Sequence, residues 1–272
     1  MEAGVEATDP ARMLPSSAVL QVRDLTLQYR TRRQMVTATF GVSFDVHEGD
    51  RFVLLGPSGC GKSSLLKAVG GFLPPHDGSI ALGGAPVRRP GPDRMMVFQE
   101  FDQLLPWQTV RGNIAYPMRL NHRFPAAEIR ARTTAWLERA GLEQFGDAYP
   151  HQLSGGMKQR AAIARAMAME PVMLLMDEPF AALDALTRRS MQEALLRLWQ
   201  QTQVTTLFVT HSIEEAILVG SRVLVLSPHP GRVRAELGVE HLGFAHLGTP
   251  AFRALHDRIH ALLFEPGEIA DA

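Results

Sequence analysis

Eight consecutive residues, Gly56-Pro57-Ser58-Gly59-Cys60-Gly61-Lys62-Ser63, constrain the fold of this chain more than any others. They satisfy the spacing GxxxxGK[ST], which has a chemical meaning where an apolar strand runs into a loop and the loop opens a helix. Arg51–Leu55 supplies such a strand, and a helix is predicted to begin at the end of the loop, taking in Ser64. The glycines let the backbone curl until its N–H groups converge on phosphate oxygens, and the helix N-terminus adds a partial positive charge. Lys62 is then expected to reach the β- and γ-phosphates of a nucleotide, and the Ser63 hydroxyl to ligate Mg2+. Cys60 is the single cysteine. Alone it can form neither an internal disulfide nor a thiolate metal site, so it reads as filler within the loop.

A second apolar run, residues 172–176, ends in Asp177 and Glu178. Open α/β sheets bind ligands at the carboxyl ends of their strands, where these two acids fall. Asp177 is expected to hold Mg2+ through water and Glu178 to polarise an attacking water. Adjacent side chains on a strand point to opposite sides, which would give the two carboxylates separate tasks. Taken alone, an acidic pair is as readily an ordinary polar strand end.

The remaining pattern gives the frame. Residues 19–29 and 40–46 alternate apolar with polar, as half-exposed strands of an antiparallel edge sheet do. Residues 206–210 and 222–226 are compact apolar runs, and helical patterns at 161–169 and 187–199 lie between strands. Strands alternating with helices predict an α/β fold with a mostly parallel sheet covered on both faces. The strand signal stops between residues 102 and 154. There, residues 128–140 read as an amphipathic helix, and Pro106, Pro117, Pro125 and Pro150 punctuate the stretch. An inserted helical subdomain over about 102–160 is the expectation, within one domain spanning 18–237. Residues 1–17 read as a loose tail. Residues 238–272 form a C-terminal extension whose helix, at 251–264, carries Phe252, Leu255, Ile259, Leu262 and Leu263 on helical spacing.

A third motif narrows the reading. Leu153-Ser154-Gly155-Gly156-Met157-Lys158-Gln159-Arg160 opens a helix with a hydroxyl and bare backbone N–H groups, which makes a second anion-binding terminus. The first loop already surrounds one nucleotide, so this one must serve a nucleotide elsewhere. With this motif the chain resembles the ATP-binding cassette (ABC) family, whose signature reads LSGGQ; here Met157 replaces the Gln. The resemblance implies that ATP is hydrolysed between two cassettes, a homodimer or a paired cassette, with Ser154, Gly155 and Gly156 closing on the partner's ATP. It also implies that residues Gly56 to Ser64 contact ATP and that Tyr29 stacks on adenine. Gln99 matches the glutamine that contacts Mg2+ and the attacking water, His211 the histidine at the γ-phosphate, and Ala182-Leu183-Asp184 the loop crossing the dimer interface.

Leu104-Leu105-Pro106-Trp107, Gly91-Pro92-Asp93-Arg94 and the stretch from Ser227 to Arg232 resemble the ATP-binding subunits of nitrate, aliphatic sulfonate and taurine importers. The resemblance implies a separate transmembrane permease docking near Gln99 and Leu104 to Trp107, a solute-binding protein in the full complex, and a peripheral position on the cytoplasmic face of the inner membrane. Composition is compatible with this. Basic and acidic residues number 28 each, so no global field draws the chain to nucleic acid. No apolar run approaches the roughly 18–20 residues of a spanning helix. A DNA-repair cassette would need a long coiled coil between the two phosphate motifs, and 97 positions between Gly56 and Leu153 leave no room for one. A translation-associated cassette protein would carry two sets of motifs. An exporter subunit remains the alternative within transport.

Overall fold

The computed structural model describes residues 18–30, 34–99, 103–181 and 183–264. The expected tail over 1–17, the start of the inserted region at 102, Ala182 and residues 265–272 lie outside the described residues. Along the chain, β1 (Ala18–Arg30), β2 (Met35–His47) and β3 (Arg51–Leu55) precede α1 (Lys62–Val69). Then come β4 (Asp77–Leu82), β5 (Ala85–Pro86) and β6 (Arg94–Val97), followed by three helices, α2 (Val110–Leu120), α3 (Ala126–Arg139) and α4 (Gly155–Met167). The second half alternates β7 (Met173–Asp177), α5 (Ala185–Thr202), β8 (Thr205–Thr210), α6 (Ile213–Val219) and β9 (Arg222–Leu226), closing with β10 (Val233–Gly238) and α7 (Pro250–Phe264).

The larger sheet has six strands in the order β10-β9-β3-β8-β7-β6, all parallel to their neighbours except β10. Its inner strands are largely apolar because each successive side chain enters a different core. Val53, Leu55, Leu174, Met176 and Phe208 join the helices on one face. Phe52, Leu54, Leu175, Leu207 and Val209 join α1, β1, β2 and β4 on the other. The antiparallel strands therefore form a second, four-stranded sheet, β2-β1-β4-β5, laid over one face, where the alternation had predicted an edge sheet. Thr39 of β2 bridges to Gly231 beyond β9.

Three departures from expectation have physical reasons. The second strand begins at Met35, five residues before the predicted start, because β1 supplies hydrogen-bonding partners as far as Arg30. The segment read as punctuated by Pro117 is the helix α2 with that proline inside it. Burial of Val110, Ile114 and Met118 outweighs the lost N–H, and the Thr109 side chain caps the first turn by accepting from Gly112 N. Strand β4 was not legible, since Asp77-Gly78-Ser79 is exposed and gives no alternation. It exists because β1 offers an edge to pair with.

Candidate functional site

Strand order brings the motifs together. The loop after β3, the end of β7 and the residue after β8 all lie at the carboxyl ends of parallel strands, and β8 separates the other two. His211 thus stands between the glycine-rich loop and Glu178. This is the edge at which such sheets bind ligands.

Gly61 is the N-cap of α1, with φ +94°, and no side chain caps the helix. A Cβ there would stand 2.5 Å from Thr39 Cγ2 and 2.6 Å from the Ala38 carbonyl, so the second sheet presses the loop to its shape. The uncapped first turn presents backbone donors with partial positive charge. Lys62 is buried, and its ammonium donates to the carbonyls of Gly56 (2.7 Å) and Pro57 (2.9 Å). Cys60 Sγ is 3.9 Å from the same nitrogen. Burial pushes the Cys60 thiol above its ordinary value, with the Lys62 ammonium opposing, which suits a packed thiol and not a nucleophile.

Ser63 Oγ donates to Asp177 Oδ1 at 2.9 Å. Burial raises the Asp177 carboxyl; the Ser63 bond lowers it, and the Glu178 charge raises it further. Glu178 is not part of β7. Its φ of +43° places it in the left-handed region, and its N–H still donates to Val209 O at 3.0 Å. The two carboxylates are therefore parted by a backbone turn, where strand pleating had been expected to part them. For a non-glycine residue this conformation costs on the order of 1–3 kcal/mol, and such residues concentrate at functional sites. Glu178 Oε2 lies 3.1 Å from His211 Nδ1.

Ser154 is the N-cap of α4, its Oγ accepting from Met157 N at 3.3 Å. The hydroxyl is thus half engaged by its own helix and keeps one O–H to donate. A Cβ on Gly156 would meet Thr187 Cγ2 at 2.9 Å, so the start of α4 packs against the start of α5. Asp184 caps α5, accepting from Leu186 N (3.1 Å) and Thr187 N (3.0 Å). These bonds, with that to the Thr187 side chain first, hold its carboxyl below the ordinary range. The start of α4 belongs to the helical face of the sheet, while α1 lies on the opposite face.

The family model described as ABC transporter matches residues 39–181, more than half of the chain. The chain belongs to the ABC transporter family. It is 47% identical over 239 residues to the taurine import ATP-binding protein TauB of Rhizobium johnstonii, covering 85% of this chain and 90% of the relative. The protein of the same name from Pelagibacter ubique is 39% identical over 257 residues, covering 90% and 95%. Among solved structures, the dimeric post-hydrolysis state of the ATP-binding cassette MJ0796 bound to ADP and Pi is similar at TM-score 0.71 and 31% identity, covering 83% of this chain and all of that one. The cassette cbiO1 from Clostridium perfringens, part of the cbiONQ transporter complex, is similar at TM-score 0.72 and 29% identity, covering 89% and 98%. ATPase activity follows from membership of this family.

In this ABC cassette, Gln99 is exposed just beyond β6. Trp107 is 68% exposed, and the exposed Phe72 and Phe98 meet edge to face at 6.3 Å. Tyr29 is 45% exposed on β1, paired with Val36 two residues before the Ala38–Thr39 contact with the loop. Arg232 lies over the other aromatic in this region, Phe40, at 4.3 Å. Sequence reasoning missed Asn113, fully buried in α2, whose amide accepts from Leu105 N (2.8 Å) and donates to Leu105 O and Gln108 O (3.1 Å each). It fixes the loop that presents Trp107. The one available signal was an asparagine on the apolar face of a proline-containing helix. Among the described residues no helix is long and apolar enough to cross a membrane.

Proposed function

We propose that the chain energises import of a small organic anion of the taurine and alkanesulfonate class through a separate permease, working as a pair of cassettes with ATP held between them. Each site would combine Lys62, Ser63, Asp177, Glu178 and His211 of one copy with Ser154 and Gly156 of the other. The observation that carries this reading is that α1 and α4, the helices opened by the two phosphate motifs, pack on opposite faces of one sheet. A helix terminus so placed is available to a nucleotide on another copy. Glu178 would take the proton of the attacking water, and His211 would hold that carboxylate and meet the γ-phosphate. Tyr29 would stack on adenine, and Asp184 would hold the loop that faces the partner.

The donors Ser63 Oγ and Asp177 Oδ1 are hard oxygens 2.9 Å apart, a set that fits Mg2+ completed by phosphate oxygens and water. Gln99 would approach from the far side of the same edge. The bound ion would neutralise phosphate charge. Exposed Trp107 with Phe72 and Phe98 offers aromatic anchors of the kind an interface uses, which supports permease docking beside Gln99.

Two experiments test this reading. In mixed dimers, Ser154→Ala on one copy and Glu178→Gln on the other should leave one intact site and measurable turnover. The same two changes on one copy, paired with wild type, should damage both sites. The reverse pattern would mean that Ser154 serves its own ATP. Second, the solute-binding protein that co-purifies with the complex should bind taurine or alkanesulfonates by calorimetry. Binding of neither would remove the cargo assignment.

A further inference from the structure

Arg188 sits in the first turns of α5, directly after the Asp184 cap. Its guanidinium donates from Nε to Phe180 O (3.3 Å) and from Nη2 to Leu183 O (2.9 Å). Both carbonyls belong to the segment that joins Glu178 to Asp184. The same Nε lies 3.7 Å from Glu215 Oε1 on α6. Glu215 is buried, and its other oxygen accepts from Thr210 Oγ1 at 2.7 Å. That hydroxyl oxygen in turn accepts from Ser212 N at 3.0 Å. Thr210 and Ser212 are the two neighbours of His211. The path thus closes into a ring that runs from Glu178 through Phe180 and Leu183 to Arg188, across to Glu215 and Thr210, and back through His211 to Glu178.

Helix capping accounts for only part of the acid's place in this ring: Ser212 and Glu215 have capping-box spacing, but the Glu215 carboxylate turns to Thr210 and Arg188. Ser212 Oγ already caps α6 by accepting from Glu215 N at 3.2 Å. A buried carboxylate is costly to hold unless it is paired and hydrogen-bonded, and its ion-pair partner Arg188 comes from another element. Arg188 suits the task, because its planar fork donates to both carbonyls while its charge lies at ion-pair distance, 3.7 Å, from the carboxylate. The pair therefore ties the two loops on either side of Glu178 to each other, apart from the loop that holds the phosphates.

We propose that Arg188 and Glu215 form a positioning link that holds His211 against Glu178 and makes that alignment depend on the placement of the 180–184 segment. The link rests on the roles given above to Glu178 and His211. Since that segment leads into the expected dimer loop, arrival of the partner cassette at one end of the link would be transmitted to the histidine at the other. Neither residue touches substrate in this arrangement.

Steady-state hydrolysis by the full chain tests it. Arg188→Ala and Glu215→Gln should each lower kcat about tenfold while KM for ATP stays within about twofold. The double variant should fall no further than the worse single, since both remove one interaction. Glu215→Gln keeps side-chain volume and an acceptor for Thr210, so its melting temperature should remain near wild type. A wild-type kcat in Glu215→Gln, or losses that multiply to about a hundredfold in the double variant, would overturn the link. Should Glu215→Gln fail to fold, Arg188→Met and Arg188→Lys replace it: lysine should recover part of kcat, and equal rates would overturn the proposal. Glu178→Gln in the same assay separates the failures. If it is slow while the Arg188 and Glu215 variants run at the wild-type rate, the link alone is wrong. If it runs at the wild-type rate, the role of Glu178 is wrong.

Discussion

Glu178→Gln is expected to lower ATP turnover by roughly 10²–10⁴-fold, or about 3–5 kcal/mol of barrier, with nucleotide binding intact. The amide fills the same space and can still accept from His211, 3.1 Å away in the native site, but it cannot take a proton. The left-handed backbone at Glu178 persists in the variant, because it is fixed by the Val209 carbonyl and by the turn in which Ala181 N donates to Glu178 O. Hydrolysis is the step removed, so the ATP-bound pair should accumulate as a stable dimer. Turnover and gel-filtration mass in the presence of ATP give the two readouts. Near-normal turnover would take Glu178 out of the chemistry.

Lys62→Ala should instead act on binding. The ammonium is buried and held by two loop carbonyls, from Gly56 and Pro57, at the centre of the ring of backbone donors. Phosphate would replace those carbonyls as its partner, so the gain on binding is the difference between a charge-assisted contact with an anion and two neutral acceptors. A hydrogen bond to a charged group is worth about 1.5–3 kcal/mol, which predicts roughly 10- to 100-fold weaker ATP affinity. Calorimetric titration of the purified chain measures it directly. An unchanged dissociation constant would contradict the role given to Lys62. The variant also loses the bridge between Gly56 and Pro57, so a melting curve should accompany the titration.

The strands 51–55 and 222–226 were legible to the residue, because fully buried parallel strands are continuous apolar runs bounded by polar ends. The helices at 128–140 and 251–264 were legible within two residues, since each carries a one-sided apolar stripe. By contrast β4 and α2 carried weak or opposing local signals and exist through what they pack against. Trp107 illustrates the limit at the site. Its type and its neighbours favoured docking over packing within the helical subdomain, and only the fold shows it 68% exposed, on the loop that Asn113 pins.

By itself the sequence determined the phosphate loop, the acidic pair, the Ser154 motif and the order in which they occur. Each is a contiguous stretch whose function depends on backbone shape over a few residues. Only the tertiary structure decided how they meet. The Ser63–Asp177 bond spans 114 positions, and it forms because β8 separates β3 from β7 by one strand in the sheet. The same order sets His211 beside Glu178 and puts Arg188 within reach of Glu215. Strand order is a property of the whole core, in which each strand chooses its neighbours by the apolar surface they jointly bury. No local pattern encodes it. The two faces of that sheet then carry apart the helices that the two phosphate motifs open, and this separation is what gives the Ser154 helix to another copy in the proposed cycle.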